Sequence, residues 1–116
     1  MEKIVLMVDN AIIALEIKNN LESSGYLVPF IASTLKEFLK VDCEMDLVII
    51  DMDFIPINRI SEVEVPIIFL TSQSESEIQN KISTLQVTYE CLFKPFTEEE
   101  LLQKTRQILQ LKSKNP

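Results

Sequence analysis

Two hydrophobic rhythms alternate along this chain. Runs rich in apolar residues fall at Lys3–Val8, Tyr26–Ala32, Asp46–Asp51, Val65–Thr71 and Tyr89–Phe93, and each reads as a strand. The unbroken, β-branched run Leu47–Ile50, like the first run, reads as a strand buried inside a parallel sheet. Between them, apolar residues recur at helical spacing. Ile13, Ile17 and Leu21, broadened by Ala14 and Ile12, predict a helix from Ala11 to about Ser23, with Asn10 as its N-cap and Gly25 as its stop. Ser33 or Thr34 caps a short helix that buries Leu35, Phe38 and Leu39, and Glu37, three residues after Thr34, completes a capping box. Ser74 with Glu77 opens a helix through Ile78, Ile82 and Leu85, and Thr97 with Glu100 opens a last one carrying Leu101, Leu102, Ile108 and Leu109.

Strands alternating with helices predict an α/β fold: one doubly wound, flavodoxin-like domain with a five-stranded parallel sheet and right-handed crossovers. Pro29 lies inside the second run, and proline cannot donate to a ladder, so that strand belongs at an edge. The strand order is then 2-1-3-4-5, and strands one and three flank the switch point where such sheets carry their sites. The domain is expected to span 1–113, with 114–116 a polar tail inside a frayed end that starts near Lys112. One crossover is short. Phe54–Glu64 holds eleven residues and contains Pro56, so the third helix should be truncated or missing, with at most two turns over Asn58–Val63. One sheet face would then be thinly covered, and Ile55, Ile57 and Ile60 would lie flat on it or meet a partner, a second copy of the chain being one option.

Composition narrows the chemistry. The chain has 116 residues, a net charge of −7 and a pI near 4.6. That charge argues against binding nucleic acid or an anionic membrane through a basic surface. No apolar run approaches a membrane span, and the first strand begins at once, without a signal-peptide layout, so a cytoplasmic location is expected. There is no histidine, which removes Ser-His-Asp and Cys-His catalysis and histidine metal sites. A single glycine, Gly25, excludes a P-loop or a GxGxxG turn. Cys43 and Cys91 make no disulfide framework and read as inert fillers.

What remains is a set of residues at strand ends: Asp9-Asn10, Asp51, Thr71-Ser72 and Lys94-Pro95. Each has an ordinary reading as a cap or a solvated turn. Together, Val8-Asp9-Asn10, Asp46-Leu-Val-Ile-Ile-Asp51, Pro66-Ile-Ile-Phe-Leu-Thr71-Ser72 and Phe93-Lys94-Pro95-Phe96 resemble the receiver domain of two-component response regulators over nearly the whole chain. The chemistry agrees. Carboxylates a few Å apart repel by about 4 kcal/mol at an effective dielectric near 20, so they need a cation among them. Mg²⁺ prefers such oxygen ligands, and Lys94 supplies a second positive charge.

The resemblance implies that Asp51 accepts a phosphoryl group from a sensor histidine kinase or phosphotransfer protein. It implies that Thr71 and Lys94 bind that group. Mg²⁺ would sit on Asp9, Asp51 and the Asp53 backbone carbonyl, with Asn10 as an additional candidate. It implies a cis Lys94-Pro95 bond. It also implies a non-enzymatic role, with output through a protein partner on the helix after strand four, strand five and the last helix. Three departures stand out: Asn10 replaces a second acid, Cys91 replaces an aromatic residue, and the third crossover is short. They keep a phosphorylation-independent pseudo-receiver scaffold in view. A remoter alternative is a haloacid-dehalogenase-type phosphatase, with Asp51 as nucleophile and Asp53 as general acid. Otherwise the Asp53 side chain reads as a solvated loop acid.

Overall fold

The computed structural model describes residues 1–53, 60–83 and 85–114. In chain order they form β1 (Ile4–Met7), α1 (Ala11–Ser23), β2 (Ile31–Ala32), α2 (Leu35–Leu39), β3 (Leu47–Asp51), a 3-10 turn (Ile60–Glu62), β4 (Ile67–Thr71), α3 (Glu75–Ile82), β5 (Tyr89–Phe93) and α4 (Glu98–Lys114). The strands make one five-stranded sheet in the order β2-β1-β3-β4-β5, and every pairing is parallel. The predicted sheet and strand order are therefore the observed ones.

Burial follows from strand position. All residues of β1, β3 and β4 are buried, as strands covered on both faces must be. Successive side chains go to opposite faces, so the core is split in two. Ile4, Leu6, Leu47, Ile49, Ile68 and Leu70 pack against Ala14, Ile17 and Leu21 of α1 and Leu101 and Ile108 of α4. Val5, Met7, Val48, Ile50, Ile67 and Phe69 pack against Phe38 of α2, Ile60 and Val63 around the 3-10 turn, and Ile78 and Ile82 of α3. Edge strand β5 is only partly covered, and Phe93 is exposed.

Capping chemistry sets most helix boundaries. Asn10 Oδ1 accepts from the amides of Ile12 and Ile13 at 3.0 and 3.2 Å and starts α1. The helix ends in a Schellman arrangement: Gly25 N donates to Glu22 O and Tyr26 N to Leu21 O, both at 3.1 Å, with Gly25 at φ +95°. Glu37 N donates to Thr34 Oγ1 at 3.1 Å, but the Glu37 carboxylate reaches back to Ser33, one residue beyond the cap. Thr97 and Glu100 exchange bonds as a reciprocal box at the start of α4.

The differences from expectation are local. The second strand shrinks to Ile31–Ala32, although Leu27 and Phe30 carbonyls still accept from Ile4 and Leu6 at 2.8 and 3.2 Å; Pro29 breaks the ladder between them. The buried face of α1 is Ala14, Ile17 and Leu21, while Ile12 is 78% exposed and Ile13 lies at its margin. At 100° per residue, Ile12 lies some 160° around the helix from Ala14, so it points away from the sheet. Leu39 is exposed because α2 stops there. Cys43 is exposed rather than a filler, as it sits in the loop between α2 and β3. Helix α4 continues to Lys114 rather than fraying from Lys112. Under the short crossover, Val5, Met7, Val48 and Ile50 are wholly buried, and Ile60 packs flat on that face, the first of its two expected alternatives. Of the expected helix over Asn58–Val63, the described part is the 3-10 turn; Ile55, Pro56, Ile57 and Asn58 lie outside the described residues. Among the described residues, no helix is long and apolar enough to cross a membrane.

Candidate functional site

The carboxyl ends of β1, β3, β4 and β5 lie side by side. Met7 pairs with Ile50, Asp51 with Leu70, and Thr71 with Phe93. Asp9, two residues past Met7, therefore shares one rim with Asp51, Thr71 and Lys94. Two backbone bonds continue the ladder past the strands: Met52 N to Leu70 O at 3.0 Å and Lys94 N to Thr71 O at 2.8 Å. The second fixes where Lys94 leaves the sheet. The Lys94-Pro95 peptide is cis, as expected.

Asp51 is wholly buried. Lys94 Nζ lies 3.0 and 2.9 Å from its two carboxylate oxygens. Oδ1 also accepts from the Asp53 amide at 3.0 Å. A buried carboxylate needs such partners, because desolvation disfavours the charge and charge-assisted bonds restore it. The same ammonium reaches Asp53 Oδ2 at 3.1 Å. Burial pushes the Lys94 pKa down, but bonds to Asp51 and Asp53 outweigh it and leave the pKa raised.

Asp53 is the residue that sequence reasoning misjudged. Its side chain is 15% exposed, not a solvated loop acid. Oδ1 accepts from Thr71 Oγ1 at 3.2 Å, and Ser72 N lies 3.2 and 3.0 Å from the two oxygens. Ser72 Oγ donates to Oδ2 at 2.9 Å. Burial acts to raise its pKa, but the Ser72 amide and hydroxyl and then Lys94 prevail and lower it. Two features of the sequence pointed here: a carboxylate two residues past Asp51, and hydroxyl residues ending β4, the neighbour of β3 in the sheet. Thr71 is itself wholly buried, and its hydroxyl oxygen also accepts from Gln73 N at 3.0 Å.

Asp9 is exposed at the rim, and the Asn10 amide oxygen faces the start of α1 as its cap. Among the described residues, no group of three or more histidine, cysteine, aspartate or glutamate side chains could hold a metal. The expected Mg²⁺ set has a different make-up, two carboxylates and one backbone carbonyl. All three are hard oxygen donors, and water would complete such a shell, so the donor chemistry fits Mg²⁺. Cys91 lies on the face of β5 that carries Tyr89, and the Tyr89 ring meets Phe69 edge-on at 6.2 Å. Burial first, then Glu90 and Glu75, hold the Cys91 thiol above its usual pKa, which makes it a poor nucleophile.

The sheet is doubly wound in the order 2-1-3-4-5 and carries a buried aspartate paired to a lysine at its switch-point rim, the layout of a receiver-like fold. Comparison with solved structures agrees. The N-terminal domain of a response regulator/sensory box/GGDEF 3-domain protein from Carboxydothermus hydrogenoformans is 26% identical over 98% of each chain, with a TM-score of 0.78. A response regulator receiver protein from Sinorhizobium medicae is 27% identical over 94% of each chain, at a TM-score of 0.76. The chemotaxis protein CheY4 of Vibrio cholerae shares the fold at 24% identity, covering 93% of this chain and 98% of its own, with a TM-score of 0.77. No protein-family model and no curated protein matches the sequence. The resemblance read from the four strand-end motifs is borne out: the chain has the fold of response-regulator receiver domains.

Proposed function

We propose that this domain accepts a phosphoryl group on Asp51 and passes the change on through protein contacts. The observation that carries this reading is the Lys94 ammonium, 2.9–3.0 Å from both oxygens of a wholly buried Asp51. A carboxylate nucleophile attacks the phosphorus of a partner's phosphohistidine. The new oxygen–phosphorus bond forms as the phosphorus–nitrogen bond breaks, and the imidazole leaves with the electron pair. Lys94 neutralises charge on the transferring group, and the Thr71 hydroxyl and Ser72 amide are donors within reach of its oxygens. Mg²⁺ on Asp9, Asp51 and the Asp53 carbonyl would neutralise further charge. A phosphoryl donor on another protein suits a chain without histidine. We place the domain in the cytoplasm, where sensor kinases present that donor.

Output fits the face made by α3, β5 and α4. A cavity of about 200 Å³ there is lined by Ile78, Ile82, Tyr89, Cys91, Phe93 and Lys104, among others. A second reading, a scaffold that no longer takes phosphate, is favoured by the Asp53 carboxylate already resting on Thr71, Ser72 and Lys94. A phosphatase is disfavoured, because a general acid must keep its proton, and the Asp53 pKa is lowered. Acetyl phosphate with Mg²⁺ separates the readings. Intact mass should rise by one phosphoryl group in the wild type and not in Asp51→Asn; no gain in either supports the scaffold.

A further inference from the structure

The donors around Asp53 form a seat for an oxyanion. A backbone amide, two hydroxyls and an ammonium come from the ends of β4 and β5, and they converge on a single carboxylate at 2.9–3.2 Å. Amide, hydroxyl and ammonium groups in this arrangement recognise phosphate or sulfate as readily as carboxylate. Ser72 is exposed, so the seat opens to solvent. Asp53 is tethered two residues from Asp51, whose Oδ1 its own amide donates to at 3.0 Å. Its carboxylate therefore has a high effective concentration at the seat.

We infer that the Asp53 carboxylate is a built-in competitor, filling the seat that the oxygens of an incoming phosphoryl group must take. This rests on the phosphoryl-acceptor reading of Asp51 and extends it. Thr71, Ser72 and Lys94 cannot give the same hydrogens to two anions, so anion binding requires Asp53 to swing out. Removing its carboxylate frees the donors and leaves the backbone carbonyl of residue 53 in place. Asp53 is thus a positioning residue that sets the resistance of the site to phosphorylation, and its strength is tuned by one side chain.

The test reads the seat directly. Sulfate, without Mg²⁺, is titrated into ¹⁵N-labelled wild type, Asp53→Ala and Asp53→Asn, following the Ser72 amide. Asp53→Ala should bind sulfate about tenfold or more tightly than the wild type, with Asp53→Asn between them. Equal affinity in all three, with otherwise wild-type spectra, overturns the inference. If Asp53→Ala does not fold, Asp53→Asn decides, since it keeps the side-chain volume and one acceptor. Beryllofluoride with Mg²⁺ forms the second arm. A response in the wild type that tightens in the variants supports both readings. Sulfate binding that tightens, with no beryllofluoride response in any protein, keeps the competitor and removes the phospho-acceptor role of Asp51.

Discussion

Replacing Lys94 by Met should be the most damaging single change at the rim. Met keeps the unbranched stem and removes the ammonium. Asp51, with a side chain only 1% exposed, then loses the cation on both of its oxygens and keeps the Asp53 amide. Asp53 loses one of its donors as well. Breaking a buried ion pair costs about 3–5 kcal/mol, most of it from the orphaned charge. The lysine side chain is 23% exposed, so water can approach its place, and the lower end, about 3 kcal/mol, is expected. With a urea m-value of about 1.5 kcal/mol/M, the unfolding midpoint falls by roughly 2 M. The diagnostic is the pair Lys94→Met/Asp51→Asn. Making Asp51 neutral removes the orphan, so the double variant should be more stable than Lys94→Met alone. Circular dichroism in urea measures all three proteins. A loss below about 1 kcal/mol for Lys94→Met, or a double variant less stable than the single one, refutes the reasoning, since exposed pairs are worth only about that much.

Other expectations follow from single contacts. Thr71→Val removes the donor to Asp53 and the acceptor for Gln73 N at a wholly buried position, and should cost about 1–3 kcal/mol in the same urea experiment. Gly25→Ala puts a Cβ into open space, with nothing within 4 Å, but at φ +95°. Backbone strain alone should therefore lower stability by about 1–2 kcal/mol. Asp53 has a lowered folded pKa, so its contribution is present above the usual carboxylate range and lost as pH falls through the lowered value. Lys94 has a raised one, so its contribution is present below the usual lysine pKa and lost as pH rises through the raised value. Urea midpoints across pH should show Asp53→Asn with a shallower acid-side decline than the wild type, and Lys94→Met with a shallower alkaline one.

The sheet was legible because its central strands carry unbroken apolar runs, and Pro29 marked which run had to lie at an edge. Capping pairs such as Thr97 with Glu100 placed helix starts to the residue. Burial on short helices was harder to read. Ile12 and Leu39 are apolar, yet a first-turn residue aimed off the sheet and a last residue of α2 have nothing to pack against. Thr105 shows the converse: a polar residue wholly buried in α4, its hydroxyl donating to Leu101 O at 2.8 Å. At the site, Asp51, Thr71 and Lys94 stood out as polar residues at the ends of strands. The side-chain role of Asp53 did not, because it depends on which way a loop carboxylate turns, and that is set by Ser72 across the neighbouring strand.

The proposed role of Asp51 as nucleophile can be tested chemically. An acyl phosphate can be reduced by borohydride to an alcohol, which marks the modified carboxylate permanently. The protein should be treated with acetyl phosphate and Mg²⁺, reduced, digested and sequenced by mass spectrometry. Homoserine should appear at position 51 and nowhere else. Homoserine at position 53 or 9, or none at all, would contradict that role.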